Sequence, residues 1–201
     1  MSHHRPAPAA VPIAETLAAR WSPRGYDDRP VPDAALRTVL EAARWAASCY
    51  NDQPWHYLVT RRHAEPEAFA RLLACLVPGN QGWAAQAPVL MLSVARTNFA
   101  HNGSHNRHAW HDVGQASANL AAQAAALGLQ AHQMAGFDPA AARAAFAIPD
   151  GYEPVAAITL GYPAPPETLP EALKARETAP RARRGAEEFV HLGAWDRLAL
   201  P

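Results

Sequence analysis

Ala47-Ser48-Cys49-Tyr50-Asn51-Asp52-Gln53-Pro54-Trp55-His56 strings small, hydroxyl and amide side chains together directly before the run WHYLVT at residues 55–60. That run is rich in aromatic and β-branched residues and predicts a strand. The residues before it suit a loop that approaches a flat polar ligand, because Asn and Gln offer donors and acceptors together. An ordinary turn between a helix and a strand uses the same residue types, and both readings stand at this point. Upstream, Asp33 follows Pro32 as an N-cap candidate, with Leu36, Val39, Leu40, Ala43 and Ala47 on one helical face. Further upstream, Ile13, Leu17 and Trp21 recur at helical spacing and predict a short helix that gives way at Ser22-Pro23-Arg24-Gly25.

Downstream, residues 66–76 read as helix and Pro78-Gly79-Asn80 as a breaker. Residues 88–95 form a nearly continuous apolar run, the pattern of a buried strand. A polar loop at 97–107 leads to a long helix at 109–127 that Gly128 stops. An extended segment covers 129–137, and Asp138-Pro139 caps a helix through Phe146. A last β-rich run occupies 155–160, before a proline- and charge-rich tail with a short helix. Helices alternate with single strands, so the expected class is α+β: one domain over 13–201, a flexible segment at 1–12 and an arm from about 163 onward. Such an arm buries its few apolar residues only against another surface, and a second protomer is the natural candidate.

The 201 residues carry 18 basic and 18 acidic side chains, a formal net charge of zero that argues against a nucleic-acid footprint over the whole surface. With 49% hydrophobic and 18% charged residues the chain reads as a folded globular protein. The longest apolar run is too short to span a bilayer, and residues 1–12 are polar and proline-rich, unlike a leader. Two cysteines, Cys49 and Cys75, are too few for a disulfide scaffold. No membrane partner and a cytoplasmic location are therefore expected. Abundant alanine and the near-absence of lysine, Lys174 alone, fit GC-rich codon usage, so each arginine is argued by position.

Arg20-Trp21-Ser22-Pro23-Arg24 sets two guanidinium groups around a hydroxyl where a helix ends. Guanidinium forks match phosphate oxygens bidentately, although a solvated helix end has the same residue types. Followed about two dozen residues later by Ser48-Cys49-Tyr50-Asn51-Asp52-Gln53-Pro54-Trp55, this element resembles the nitroreductase family of FMN-dependent oxidoreductases, which carry Arg-x-Ser-x-Arg/Lys and then Pro-Ser-x-x-Asn-x-Gln-Pro-Trp. Asn80, Asp112-x-Gly114, Leu127-Gly128-Leu129, Ala135-Gly136-Phe137-Asp138, Leu160-Gly161-Tyr162 and the basic Arg181-Ala182-Arg183-Arg184 follow in the same order, so the likeness covers about residues 13–195.

The resemblance implies a central mixed sheet flanked by helices, in an entwined homodimer with FMN at the interface. It implies that Arg20, Ser22 and Arg24, with Trp21 between them, hold the FMN phosphate and ribityl chain, joined by Arg181 and Arg183. Ser48, Cys49 and Asn51 would reach the flavin of the partner protomer, Asn80 would meet its pyrimidine edge, and Ala135-Gly136 would lie beside N5, where glycine permits close approach. It implies a ping-pong reaction in which NAD(P)H reduces bound FMN and a small-molecule acceptor, a nitroaromatic, quinone or similar conjugated compound, reoxidises it, with no catalytic side chain required. No Gly-x-Gly-x-x-Gly follows a strand, so no separate dinucleotide domain is expected. Three positions depart from the pattern: Ala47 stands where proline is usual, Ala135 replaces a polar residue, and Trp21 sits where basic or polar residues are common.

The loop His101-Asn102-Gly103-Ser104-His105-Asn106-Arg107-His108-Ala109-Trp110-His111 is rich in histidine. His105, His108 and His111, three apart, could align on one helix face, but no recognised zinc spacing surrounds them. No metal is expected, and His108, Trp110 and His111 are candidate substrate contacts. The purpose-built look of this loop keeps a specialised member open, a reductive dehalogenase or flavin-fragmenting type, as does a low-turnover flavin-binding protein.

Overall fold

The apolar run near residue 90 forms β2 (Val89–Arg96), the second of four strands in a sheet ordered β1-β2-β4-β3, with β1 (Trp55–Arg61), β3 (Gln130–Met134) and β4 (Tyr152–Gly161). A computed structural model describes residues 5–195 and 197. Residues 1–4, 196 and 198–201, the ends of the expected flexible segment and arm, lie outside the described residues. The run is continuous because both faces of β2 are covered. Leu90, Leu92 and Val94 face one cluster with Phe69, Leu72 and Trp83, whereas Val89 and Met91 face another with Val39, Leu120 and Ala124. Full burial of each such aliphatic side chain contributes about 1.5–3 kcal/mol.

Helices α3 (Pro66–Ala74), α4 (Pro78–Ala84) and α6 (Pro139–Phe146) cover the first face. The second is covered by α2 (Asp33–Arg44) and the central α5 (Ala109–Ala126), and α1 (Glu15–Ala19) also packs on α5. Small residues Ala116, Ala121 and Ala124 of α5 let it approach the sheet and α2 closely. Its stop is as expected: Gly128 takes φ +72. So is the start of α6, where Asp138 accepts from the amides of Ala140 and Ala141, a cap that stabilises by about 1 kcal/mol. The tail contributes α7 (Glu171–Thr178).

Several details differ from the sequence reading. Among the described residues every ladder is antiparallel, in place of a mixed sheet. The crossover β2–α5–β3 would make a parallel pair, but β4 inserts between its two strands and pairs antiparallel with both. Pro78-Gly79-Asn80 opens α4 rather than breaking the chain, because proline at the first helical position gives up an amide that has no helical partner there. Asp33 is the first residue of α2 and pairs with Arg61 instead of capping. Helix α1 is shorter than its apolar spacing suggests: Ile13 and Leu17 are exposed, while Trp21 lies beyond the helix end and is buried. The described part of the N-terminal segment is tied down by Ala7, whose amide donates to Ala18 O at 2.7 Å.

Candidate functional site

Arg20 ends α1 in an extended conformation, φ −69 and ψ 127, so the chain leaves the helix axis and turns Trp21 inward. Four groups hold this turn. Gln130 of β3 accepts from the Trp21 amide at 3.0 Å and donates to Ala19 O at 3.1 Å. Glu177 of α7, buried, accepts from the Trp21 indole at 2.7 Å and from the Arg24 amide at 3.0 Å. Arg181 donates to Ala18 O at 3.1 Å, to Arg20 O at 2.8 Å and to Arg5 O. His132 lies 2.8 Å from Pro23 O through Nδ1.

These bonds divide the expected phosphate residues. Trp21 is buried, with its indole on Glu177, and Arg181 spends its guanidinium on main-chain carbonyls. Ser22 and Arg183 are exposed, Arg20 and Arg24 half-buried. Arg20, Arg181 and Arg183 line one cavity of about 420 Å3, whose apolar wall includes Pro8, Ile13 and Leu17. Burial and the Arg183 charge push the Arg20 pKa down; burial, then Arg20, Arg183 and Arg5, does the same to Arg181. Crowded cations of this kind favour an anion among them.

Asn80 and Gly136 meet directly. Asn80 Nδ2 donates to Gly136 O at 3.1 Å, and a Cβ on Gly136 would fall 2.5 Å from that nitrogen. The need for glycine here is therefore the close approach of Asn80. Ala135 beside it is exposed. Asn80 accepts from the Trp83 indole at 3.3 Å, and Trp83 stacks on His132 with centroids 4.7 Å apart. A continuous series, Pro23–His132–Trp83–Asn80–Gly136, thus joins the arginine turn to the Asn80 contact within one chain.

His132 should make stability pH-dependent. Burial lowers its pKa, with Arg24 and Arg20 adding to the shift and the Pro23 carbonyl and Glu177 opposing it. The unfolded imidazole, near pH 6.5, binds a proton more readily than the folded one, so this contribution is complete above that pH and lost as pH falls through the lower folded value. Thermal melts between about pH 7 and 5 should show a falling midpoint, flattened in His132→Gln; equal slopes in both proteins would contradict it. His56, whose pKa is lowered by burial and Arg96, gives the shared background slope.

The loop before β1 is strained and firmly held. Tyr50, Asn51 and Gln53 all have positive φ, between 49 and 53, a region costly for residues with a Cβ. Ser48 Oγ accepts from the Gln53 amide at 3.1 Å, and the Cys49 amide donates to Asp112 at 3.0 Å. Asp112 is therefore a buried loop anchor at the start of α5. Asp52, its side chain 2% exposed, pairs with Arg96 at 3.0 Å and accepts from the Ala100 amide at 2.9 Å and from Asn106 at 3.3 Å. Burial alone would raise its pKa, but those donors together lower it. The sequence motifs do not mark Asp52, Asp112, Gln130, His132 or Glu177 as site residues; of these only Gln130 and His132, alternating with Met134 on one strand face, carry a local signal.

His108, Trp110 and His111 are exposed at the start of α5, and Trp110 lies 6.3 Å from His105. The helical alignment of His105, His108 and His111 does not form, since the helix begins only at Ala109. Among the described residues no group of three His, Cys, Asp or Glu side chains converges as metal ligands would. No described helix is long and apolar enough to cross a membrane.

The two groups of expected flavin contacts lie far apart in one chain. The loop at Ser48–Gln53 enters β1 at Trp55, opposite Ala95, whereas Gln130 pairs with Gly161 near Val89 at the other end. The length of β2 alone separates these ends by about 20 Å.

The Nitroreductase family model matches residues 17–162. A curated relative, an uncharacterized 15.4 kDa protein in the ask 5′ region of Mycolicibacterium smegmatis, is 37% identical over 136 residues, 68% of this chain and 90% of that one. A solved structure described as an oxidoreductase containing FMN superposes with a TM-score of 0.89 at 31% identity, covering 97% of this chain and 98% of the other. An FMN-dependent nitroreductase from Clostridium difficile R20291 has a TM-score of 0.68 at 20% identity, over 90% and 98% of the two chains, and shares the fold.

Proposed function

This chain belongs to the nitroreductase family, and on that premise we propose that it is an FMN-dependent oxidoreductase that takes reducing equivalents from NAD(P)H and delivers them to nitroaromatic, quinone or similar conjugated acceptors by a ping-pong route. The observation that carries this reading is the crowding of Arg20, Arg181 and Arg183 around one cavity, with Arg20 depressed in pKa by burial and Arg183, and Arg181 by burial and then by Arg20, Arg183 and Arg5. A dianionic phosphate is the counter-charge this donor set suits. The FMN-containing structure 31% identical to the chain supports the same cofactor.

When bound, FMN supplies the hydride- and electron-accepting chemistry. The chain's task is to bind, orient and shield. Arg20, Arg24 and Arg183, with the Ser22 hydroxyl, take the phosphate and adjoining chain; Arg181 and Trp21 hold the turn in place from behind. Asn80 would offer its amide to the pyrimidine edge, and the Ala135-Gly136 main chain would line the ring. Ser48, Cys49 and Asn51, about 20 Å away along the sheet, complete the site of a second protomer. Exposed apolar side chains at Ile13, Leu17, Trp45, Trp110 and Trp195 support such a pairing. The chain acts as one domain with its tail as an arm, in the cytoplasm, and His108, Trp110 and His111 border the acceptor.

Purified protein should be yellow, sediment and scatter as a dimer, and bleach when NADH or NADPH is added without oxygen. Arg20→Ala should weaken FMN retention about tenfold or more. Colourless protein that does not retain added FMN would overturn the reading, and a monomer with FMN bound would overturn the shared site.

A further inference from the structure

Glu177 stands out among groups that the proposed chemistry leaves without a task. It is a carboxylate 2% exposed, carried by an otherwise polar helix of the tail, α7, whose only buried residue it is. It faces Trp21 at 2.7 Å and the Arg24 main-chain amide at 3.0 Å. Those donors lie on either side of Ser22, so one carboxylate clamps the turn across that exposed hydroxyl. Charge-assisted bonds of this kind are roughly twice as strong as neutral ones, and burying a carboxylate this deeply is unfavourable unless such partners are present.

We propose that Glu177 is a positioning residue for anion recognition: by holding the Trp21 indole and the Arg24 amide inward it turns the Ser22 hydroxyl and the Arg20 and Arg24 side chains outward as a preformed phosphate cradle. This rests on the FMN reading above and deepens it. The clamp comes from the tail, so the cradle is complete only when α7 is docked.

The test compares FMN with riboflavin, which has the same ring and no phosphate, on the full chain and on Glu177→Gln. Glutamine keeps the shape and one acceptor for Trp21, but its amide sets a donor against the Arg24 N–H. FMN dissociation should rise about tenfold or more while riboflavin dissociation changes by less than about threefold. A purely structural role would weaken both flavins alike, and unchanged FMN-to-riboflavin preference in a folded variant would overturn the proposal. Wild-type protein that binds neither flavin would instead sink the FMN reading itself. Should Glu177→Gln not fold, Trp21→Phe gives a second measurement: it removes the 2.7 Å indole bond while leaving the carboxylate its bond from the Arg24 amide, and FMN affinity should fall several-fold with riboflavin affinity held.

Discussion

Replacing Asp52 by alanine should cost the fold about 2–4 kcal/mol, read as a lower urea midpoint at unchanged slope. The substitution removes the carboxylate partner of Arg96, whose Nε already lacks a partner, leaving its bond to the Asp52 carbonyl at 2.9 Å, and it removes the acceptor of the Ala100 amide and of Asn106. It also releases the left-handed backbone at Tyr50, Asn51 and Gln53. That release returns part of the loss, because left-handed backbone is unfavourable for residues with a Cβ. Stability should therefore fall by less than loop order does, and proteolysis between Ser48 and Pro54 should accelerate well beyond what the change in global unfolding accounts for. Asp52→Asn, which keeps the shape and loses the charge, should fall between wild type and alanine. A midpoint unchanged in Asp52→Ala would show that the pair does not hold the loop. Since the Asp52 pKa is depressed in the folded state, its contribution is complete above the ordinary carboxylate range and disappears as pH falls through the lower folded value.

Gly136→Ala should have the second large effect. The new Cβ would lie 2.5 Å from Asn80 Nδ2 and 3.0 Å from Val77 Cγ2. Asn80 cannot simply swing aside, because it donates to Gly136 O and accepts from the Trp83 indole. Overpacking of this kind costs about 1–3 kcal/mol, and the displaced amide should also weaken flavin binding. A double-mutant cycle separates the causes: Asn80→Ala opens the space, so the pair Asn80→Ala with Gly136→Ala should lose less stability than the two single changes summed. Strict additivity would place the origin of the effect elsewhere than in the Asn80 contact.

What could be read from residues alone follows the range of each interaction. The stop at Gly128, the cap at Asp138 and the buried strand at β2 are local events, decided within a few residues, and the structure has them as expected. Pro78-Gly79-Asn80 is local too, yet its residues fit both a break and a helix start, since a proline that ends one helix and a proline that begins another look alike until the next turn is packed. The supports of the arginine turn are different in kind. Gln130 lies 109 residues from Trp21, and Glu177 lies 156 residues from it. Glu177 sits in a charged tail segment whose composition reads as solvated, and nothing in its neighbours marks it as buried. Asp52 was inside the quoted motif, but the motif drew attention to Asn51 and Gln53 and not to the carboxylate that fastens them. The arginines were legible as a group, whereas the division of labour between Arg181, which ties carbonyls, and Arg183, which stays exposed, required the fold.

The insertion of β4 between β2 and β3 also sets an order of events during synthesis. β2 is finished by residue 96 and β3 by residue 134, but the strand that joins them ends only at residue 161. As the chain leaves the ribosome, the apolar edge of β2 stays unpaired on that side for more than fifty residues of further elongation, and the two ladders of β4 close last. Non-local pairing of this kind slows folding, and the open edge is a template for other chains until β4 arrives.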